Sequence, residues 1–131
     1  MSQASDYLEN ALINHVFRNT ALTSPAAVYL ALFNGDPTDA GTGGTEVTTT
    51  IRAAGRVAIT FGAPSGGVSS NSAAVDFGTA DAGATVSYIG IYDAASAGNL
   101  LAHDAITGGA QTISTGNPVS VAIGDLSVTV A

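Results

Sequence analysis

The stretch AAVYLALFN, Ala26 to Asn34, is apolar at nearly every position and stands just after Pro25. Nine residues are short for a buried helix. A run with both alternating faces apolar reads instead as a central strand, or as one covered by a helix. Its flanks settle the period on either side. Upstream, SDYLENALINHVFR (Ser5 to Arg18) carries Leu8, Leu12 and His15 or Val16 on one helical face, with Ala11 beside them. This is a 3.6-residue repeat, and the spacing predicts a helix over about residues 5–19. Ser5 or Asp6 can cap it; with Asp6 as the cap, Glu9 occupies the capping-box position. NTALTSP then ends it, because the residue before Pro25 is driven extended.

Downstream the period is two. RVAITFG (Arg56 to Gly62) alternates, with Val57, Ile59 and Phe61 inward and Arg56, Ala58 and Thr60 outward. Further strands are expected in AAVDFG (Ala73 to Gly78), TVSYIGIYD (Thr85 to Asp93), NLLAHDAI (Asn99 to Ile106), PVSVAIG (Pro118 to Gly124) and DLSVTVA (Asp125 to Ala131). Turn-forming Gly, Ser, Asn and Asp separate them, and Gly124-Asp125 fits a hairpin turn or bulge joining the last two. The expected fold is mainly β: an antiparallel β-sandwich, immunoglobulin-like or jelly-roll-like, preceded by one N-terminal amphipathic helix. A single domain is expected over residues 1–131, with the sandwich over about 26–131 and no repeat of fixed period.

Composition narrows the function classes. Ten acidic residues face three arginines, Arg18, Arg52 and Arg56, and no lysine, for a net charge of −7. Nucleic acid and anionic membranes require clustered positive charge, so neither is an expected partner. Without lysine there is no Walker A loop and no Schiff-base chemistry. Without cysteine there is no disulfide, thiolate or cysteine-zinc site. No segment resembles a signal peptide or a membrane span, so a soluble product made in a cytoplasm is expected.

Three features invite a chemical reading. NGDPTDAGTGGTE (Asn34 to Glu46) offers Asp36, Asp39 and Glu46 as hard oxygen ligands for calcium on one loop, although without EF-hand spacing. The same residues are what turn chemistry selects, and the loop is read as a solvated connection. GAPSGG (Gly62 to Gly67) has G-x-x-S-G rather than nucleophile-elbow spacing and precedes a strand. His15 and His103 lack an evident partner, since Asp104 lies on the opposite strand face from His103; both are expected at the surface or core edge. No cofactor, small-molecule substrate or enzymatic activity is expected.

Five blocks carry a resemblance: SDYLENALINHVFRNTALTSPAAVYLALF, DPTDAGTGGTEV, AITFGAPSGGVSSNSAAVDF, YIGIYDAASAGNLLAH and VAIGDLSVTV. In this order, from Ser5 to Val130, they resemble a small family of tailed-bacteriophage structural proteins often labelled phage tail fibre proteins. The chain departs from that pattern between Thr48 and Val57, where TTTIRAAGRV replaces a Gly-rich turn followed by an aromatic and an arginine. The resemblance implies a non-enzymatic virion component. The leading expectation is a decoration, or cement, protein on the outer surface of the head, partnered by the major capsid protein and by copies of itself in a homo-oligomer such as a trimer. The alternative is a tail-tip or tail-fibre-associated module for host-surface attachment. Tyr7, Leu8, Leu12 and Phe17 are the expected apolar interface, with Arg52 and Arg56 as the cations that pair with acidic neighbours.

Overall fold

The computed structural model describes residues 3–48 and 55–130. The first half of the chain order is β1 (Gln3–Ala4), α1 (Asp6–Phe17), β2 (Val28–Asn34), β3 (Thr45–Glu46), β4 (Val57–Ile59), β5 (Val68–Ser70) and β6 (Val75–Thr79). It continues through β7 (Ala84–Val86), β8 (Tyr88–Tyr92), β9 (Leu100–Ala105), β10 (Gln111–Ile113), β11 (Pro118–Val121) and β12 (Ser127–Thr129). The protein is thus mainly β with one N-terminal helix, and every strand pair is antiparallel.

The double-faced run at Ala26–Asn34 supplies the middle of the large sheet. β2 pairs with β8 from Tyr29 to Phe33 on one edge. On its other edge it pairs with β4 through Val28–Leu30 and then with β3 through Phe33 and Asn34. The sheet order is β1-β9-β8-β2-β3, with β4 also on β2. The remaining strands form three separate two-stranded ribbons, β7–β10, β6–β11 and β5–β12, rather than one continuous second sheet.

Both faces of β2 are buried, for different reasons. Leu30 and Leu32 point, with Ile91 and Ala102, into the main apolar cluster, where Val75, Phe77, Val86 and Leu126 arrive from the ribbons and their connections. Truncating a side chain such as the fully buried Leu30 to alanine removes its transfer free energy and leaves a cavity, together about 2–5 kcal/mol. Ala31 and Phe33 point the other way, into a smaller cluster with Tyr92 and Leu100. Among the described residues, the connection after β2, the turn after β8 and the start of α1 approach this second face.

One open alternative is decided and two local expectations are corrected. Ser5, not Asp6, is the helix N-cap: its Oγ accepts from Leu8 N–H at 3.2 Å, so Glu9 falls outside a capping box. Gly124-Asp125 does make a turn, with Asp125 N–H donating to the Ala122 carbonyl at 3.2 Å. The strands it joins nevertheless part, β11 to β6 and β12 to β5. Buried Asn71 holds that turn: its Nδ2 donates to the Ala73 and Ala122 carbonyls and its Oδ1 accepts from Leu126 N–H. Finally, Arg56 does not face outward from its strand, as described next.

Candidate functional site

The second face of the large sheet brings together most of the residues with chemical potential. Phe33 and Tyr92 stack across β2 and β8 with ring centroids 6.3 Å apart and planes at 12°. Gly90 makes room for them, since a Cβ there would lie 3.2 Å from Phe33 and from Tyr92 and 3.1 Å from Leu100. Arg56 lies over Tyr92, with its Cζ 3.7 Å from the ring centroid. Its Nε and Nη2 donate to the two Glu46 carboxylate oxygens at 2.9 and 2.8 Å. Its Nη1 donates to the Ala94 and Ala97 carbonyls, both at 2.8 Å. One guanidinium therefore ties β3, the start of β4, the 93–99 turn and β8 together, with only 7% of its side chain exposed. Burial raises the Tyr92 phenol above its ordinary value of 10.0, the Arg56 charge opposes that rise, and Glu46 adds to it.

His103 on β9 is the second anchor. It is buried rather than peripheral. Its partners are acids 64 and 67 residues earlier in the chain: Nε2 lies 2.7 Å from Asp39 Oδ1, and Nδ1 lies 3.4 Å from Asp36 Oδ1. An ionised carboxylate only accepts, so Nε2 carries the proton toward Asp39. The loop between them is far from a free solvated connection. Pro37 is fully buried, Gly35 N–H donates to Ser87 Oγ at 2.8 Å, and Asp39 accepts Asp6 N–H through its carbonyl at 3.0 Å.

The three loop acids consequently have two destinations. Asp39 holds His103 with Asp36 close by, its Oδ1 accepting from Thr38 N–H, whereas Glu46 holds Arg56. Among the described residues no group of three or more His, Asp or Glu side chains is placed to hold a metal ion. The remaining candidates also fall into structural places. Ser65 sits in a tight turn, exchanging backbone hydrogen bonds with Val68. His15 Nδ1 accepts from Leu22 N–H at 3.2 Å on the exposed side of the helix. A cleft of about 580 Å³ opens between the large sheet and the ribbons, floored by Leu30, Leu32, Phe77 and Val86, with Asp104 and Asp125 also lining it.

The helix presents the opposite picture. Ser5 fixes its start firmly, donating from Oγ to the Leu100 carbonyl and from N–H to the Leu101 carbonyl at 2.9 Å. Yet no residue of α1 is buried. Of the expected interface residues, Leu8 and Leu12 are half-buried toward the body, Tyr7 is 41% exposed and Phe17 80% exposed. Ile13, absent from the sequence expectation, and Val16, which the helical repeat placed beside Leu8 and Leu12, are exposed as well, at 53% and 63%. Ile13 lies off the face of Leu8 and Leu12, which is why the repeat passed over it, whereas Val16 continues the repeat at the edge of that face and is exposed nonetheless. Arg56 is engaged within the chain and is not a surface cation, and Arg52 lies outside the described residues. No helix among the described residues is long and apolar enough to cross a membrane.

The described residues thus form an all-antiparallel β body with a firmly capped but unburied helix, and Arg56, Glu46, His103 and Asp39 are paired within the chain. Over residues 3–129 the sequence matches the family described as Podophage GP4 fiber I protein gp80. The chain belongs to this phage fibre family, and its role is accordingly that of a structural component of the phage virion. No curated protein matches the chain.

Proposed function

We propose that this chain is a non-enzymatic subunit of the virion's fibre apparatus, a compact module that joins other virion proteins rather than transforming a ligand. The family match over residues 3–129 carries the reading, since its description names a fibre protein. The geometry supports it. Arg56, Glu46, His103 and Asp39 are engaged with one another or with backbone, whereas the apolar residues Ile13, Val16 and Phe17 are left on the surface. Partners are then neighbouring virion subunits. Nucleic acid and anionic lipid are disfavoured by the net charge of −7.

Head decoration, with the major capsid protein as partner, is the second reading, favoured by the small β-rich unit with a helical arm. Quantitative mass spectrometry of purified virions, combined with immunogold labelling, separates the two. Fibre placement predicts a copy number far below that of the capsid subunit and label at the tail or fibre. Copy numbers comparable to the capsid subunit, with label over the head, would move the chain to the shell. Absence from purified virions would overturn both.

A further inference from the structure

The helix is anchored at one end and exposed along one side. Successive residues turn by about 100°, so Leu8, Ala11 and Leu12 share the side toward the body, Ile13 and Phe17 fall on the side away from it, and Val16 lies at the edge between them and is exposed. Asp6 and Glu9 continue that outward side toward the N-terminus, and both are exposed. The outward stripe is therefore acidic in its first half and apolar in its second.

We infer that this outward stripe is a docking element for a different virion protein, one that offers a groove with an apolar floor and a basic rim. The inference rests on the virion reading above and names the chemistry of the partner. Two observations favour such a partner over a second copy of this chain. The first is charge: another copy also carries a net charge of −7, and Arg18, which donates to Asn14 Oδ1 at 2.9 Å, is the one exposed arginine among the described residues. A basic partner meets Asp6 and Glu9 favourably, and complementary charge also speeds encounter. The second is area. Twelve helical residues span about 18 Å by ~10 Å, a footprint of roughly 200 Å². Stable protein pairs bury about 800 Å² on each side. Two such stripes laid flat on each other fall well short, whereas a groove also engages the flanks of the helix, including Tyr7.

The test uses the full chain and virions assembled without it. Purified wild-type protein should rebind such particles saturably, and added salt should weaken the binding because charged groups are being paired. Phe17→Ser with Val16→Asn should weaken rebinding by roughly tenfold or more, the loss expected when central apolar anchors are removed. Asp6→Asn with Glu9→Gln should reduce its salt sensitivity. Matching melting curves for all variants would exclude misfolding as the cause. Failure of the wild-type chain to rebind, or rebinding indifferent to the helix variants, overturns the inference. Association that strengthens with salt, together with a concentration-dependent oligomer that the same variants abolish, overturns it in favour of a second copy. If mass spectrometry finds the chain in wild-type virions while rebinding fails, only the docking inference falls. If the chain is missing from virions, the functional reading falls with it.

Discussion

The helix Asp6–Phe17 and the connection from Asn34 to Glu46 use their residues in opposite ways to their compositions. The helix is rich in Leu, Ile, Val and Phe yet buries no residue completely. The connection is rich in Gly, Thr and acids yet contains fully buried Pro37 and supplies partners to His103 and Arg56. Apolar side chains left in water by a fold that has other ways to cover its sheet mark a surface for something else to cover. Polar side chains closed on one another over a sheet face belong to the fold itself, because a buried polar group is tolerated only when its partners are in place.

Removing the strongest polar tie should break this contrast most severely. Arg56→Ala strips Glu46, the Ala94 and Ala97 carbonyls and the Tyr92 ring of a common partner. Separating an enclosed ion pair costs about 3–5 kcal/mol, and Glu46 retains 21% exposure, which places the expected loss near the lower figure. Urea denaturation should show a lower midpoint with an unchanged slope. Arg56→Lys should recover only part of the loss, because an ammonium cannot make the bidentate contact or spread over the ring. A loss within 0.5 kcal/mol would mean that the loops add nothing to the fold.

The backbone of the connection gives the next largest effect. Gly44 has φ +63°, and a Cβ there would lie 2.6 Å from the Gly35 carbonyl oxygen. Neither atom belongs to a flexible side chain, so Gly44→Ala must strain or shift the loop, at about 2 kcal/mol. Thermal unfolding would register this as a lower Tm. An unchanged Tm would show that the path from Asn34 to Glu46 is not held against the sheet.

How much of this was legible beforehand differs between the same two regions. The helix, the central strand Val28–Asn34 and the strands around Val75, Tyr88 and Leu100 follow from periodicity, which reports burial along one element at a time. β1 and β3 are only two residues long, too short for any alternation to register. The clasp was hidden for a related reason. Asp39 and His103 are 64 residues apart, and Arg56 reads as the outward residue of an alternating strand until the 93–99 turn folds over it. Alternation tells which face a side chain leaves from, but not what covers that face. Asn71, whose side chain holds a turn more than 50 residues away, left no local pattern at all.

Tyr92 sharpens the contrast at alkaline pH. Its folded phenol has a pKa above the unfolded value, chiefly through burial, so the folded protein keeps a proton that the unfolded chain releases. The contribution to stability is therefore constant below pH 10.0 and falls as pH rises from there through the higher folded pKa. Tyr92→Phe keeps the ring against Phe33 and Arg56 while removing the titrating group. Denaturation midpoints of the variant should stay near wild type at neutral pH and lose this part of the alkaline decline. Identical alkaline declines in the two proteins would place the responsible group elsewhere.

The smallest effect is the most informative about the helix. Phe17→Ser changes a residue that is 80% exposed, and the two residue types have similar helix propensity, so neither burial nor intrinsic preference favours the original side chain. The expected change in folding stability is within about 0.5 kcal/mol. Leu12→Ser, on the half-buried side of the same helix, should cost more, because it removes apolar surface already packed toward the body. Equal losses at the two positions would mean that Phe17 also packs within the folded chain, leaving no apolar stripe for a partner. A negligible loss at Phe17 beside a measurable one at Leu12 would show a helix whose inner side serves folding and whose outer side does not, so any defect of the Phe17 variant in virion binding would be a defect of recognition.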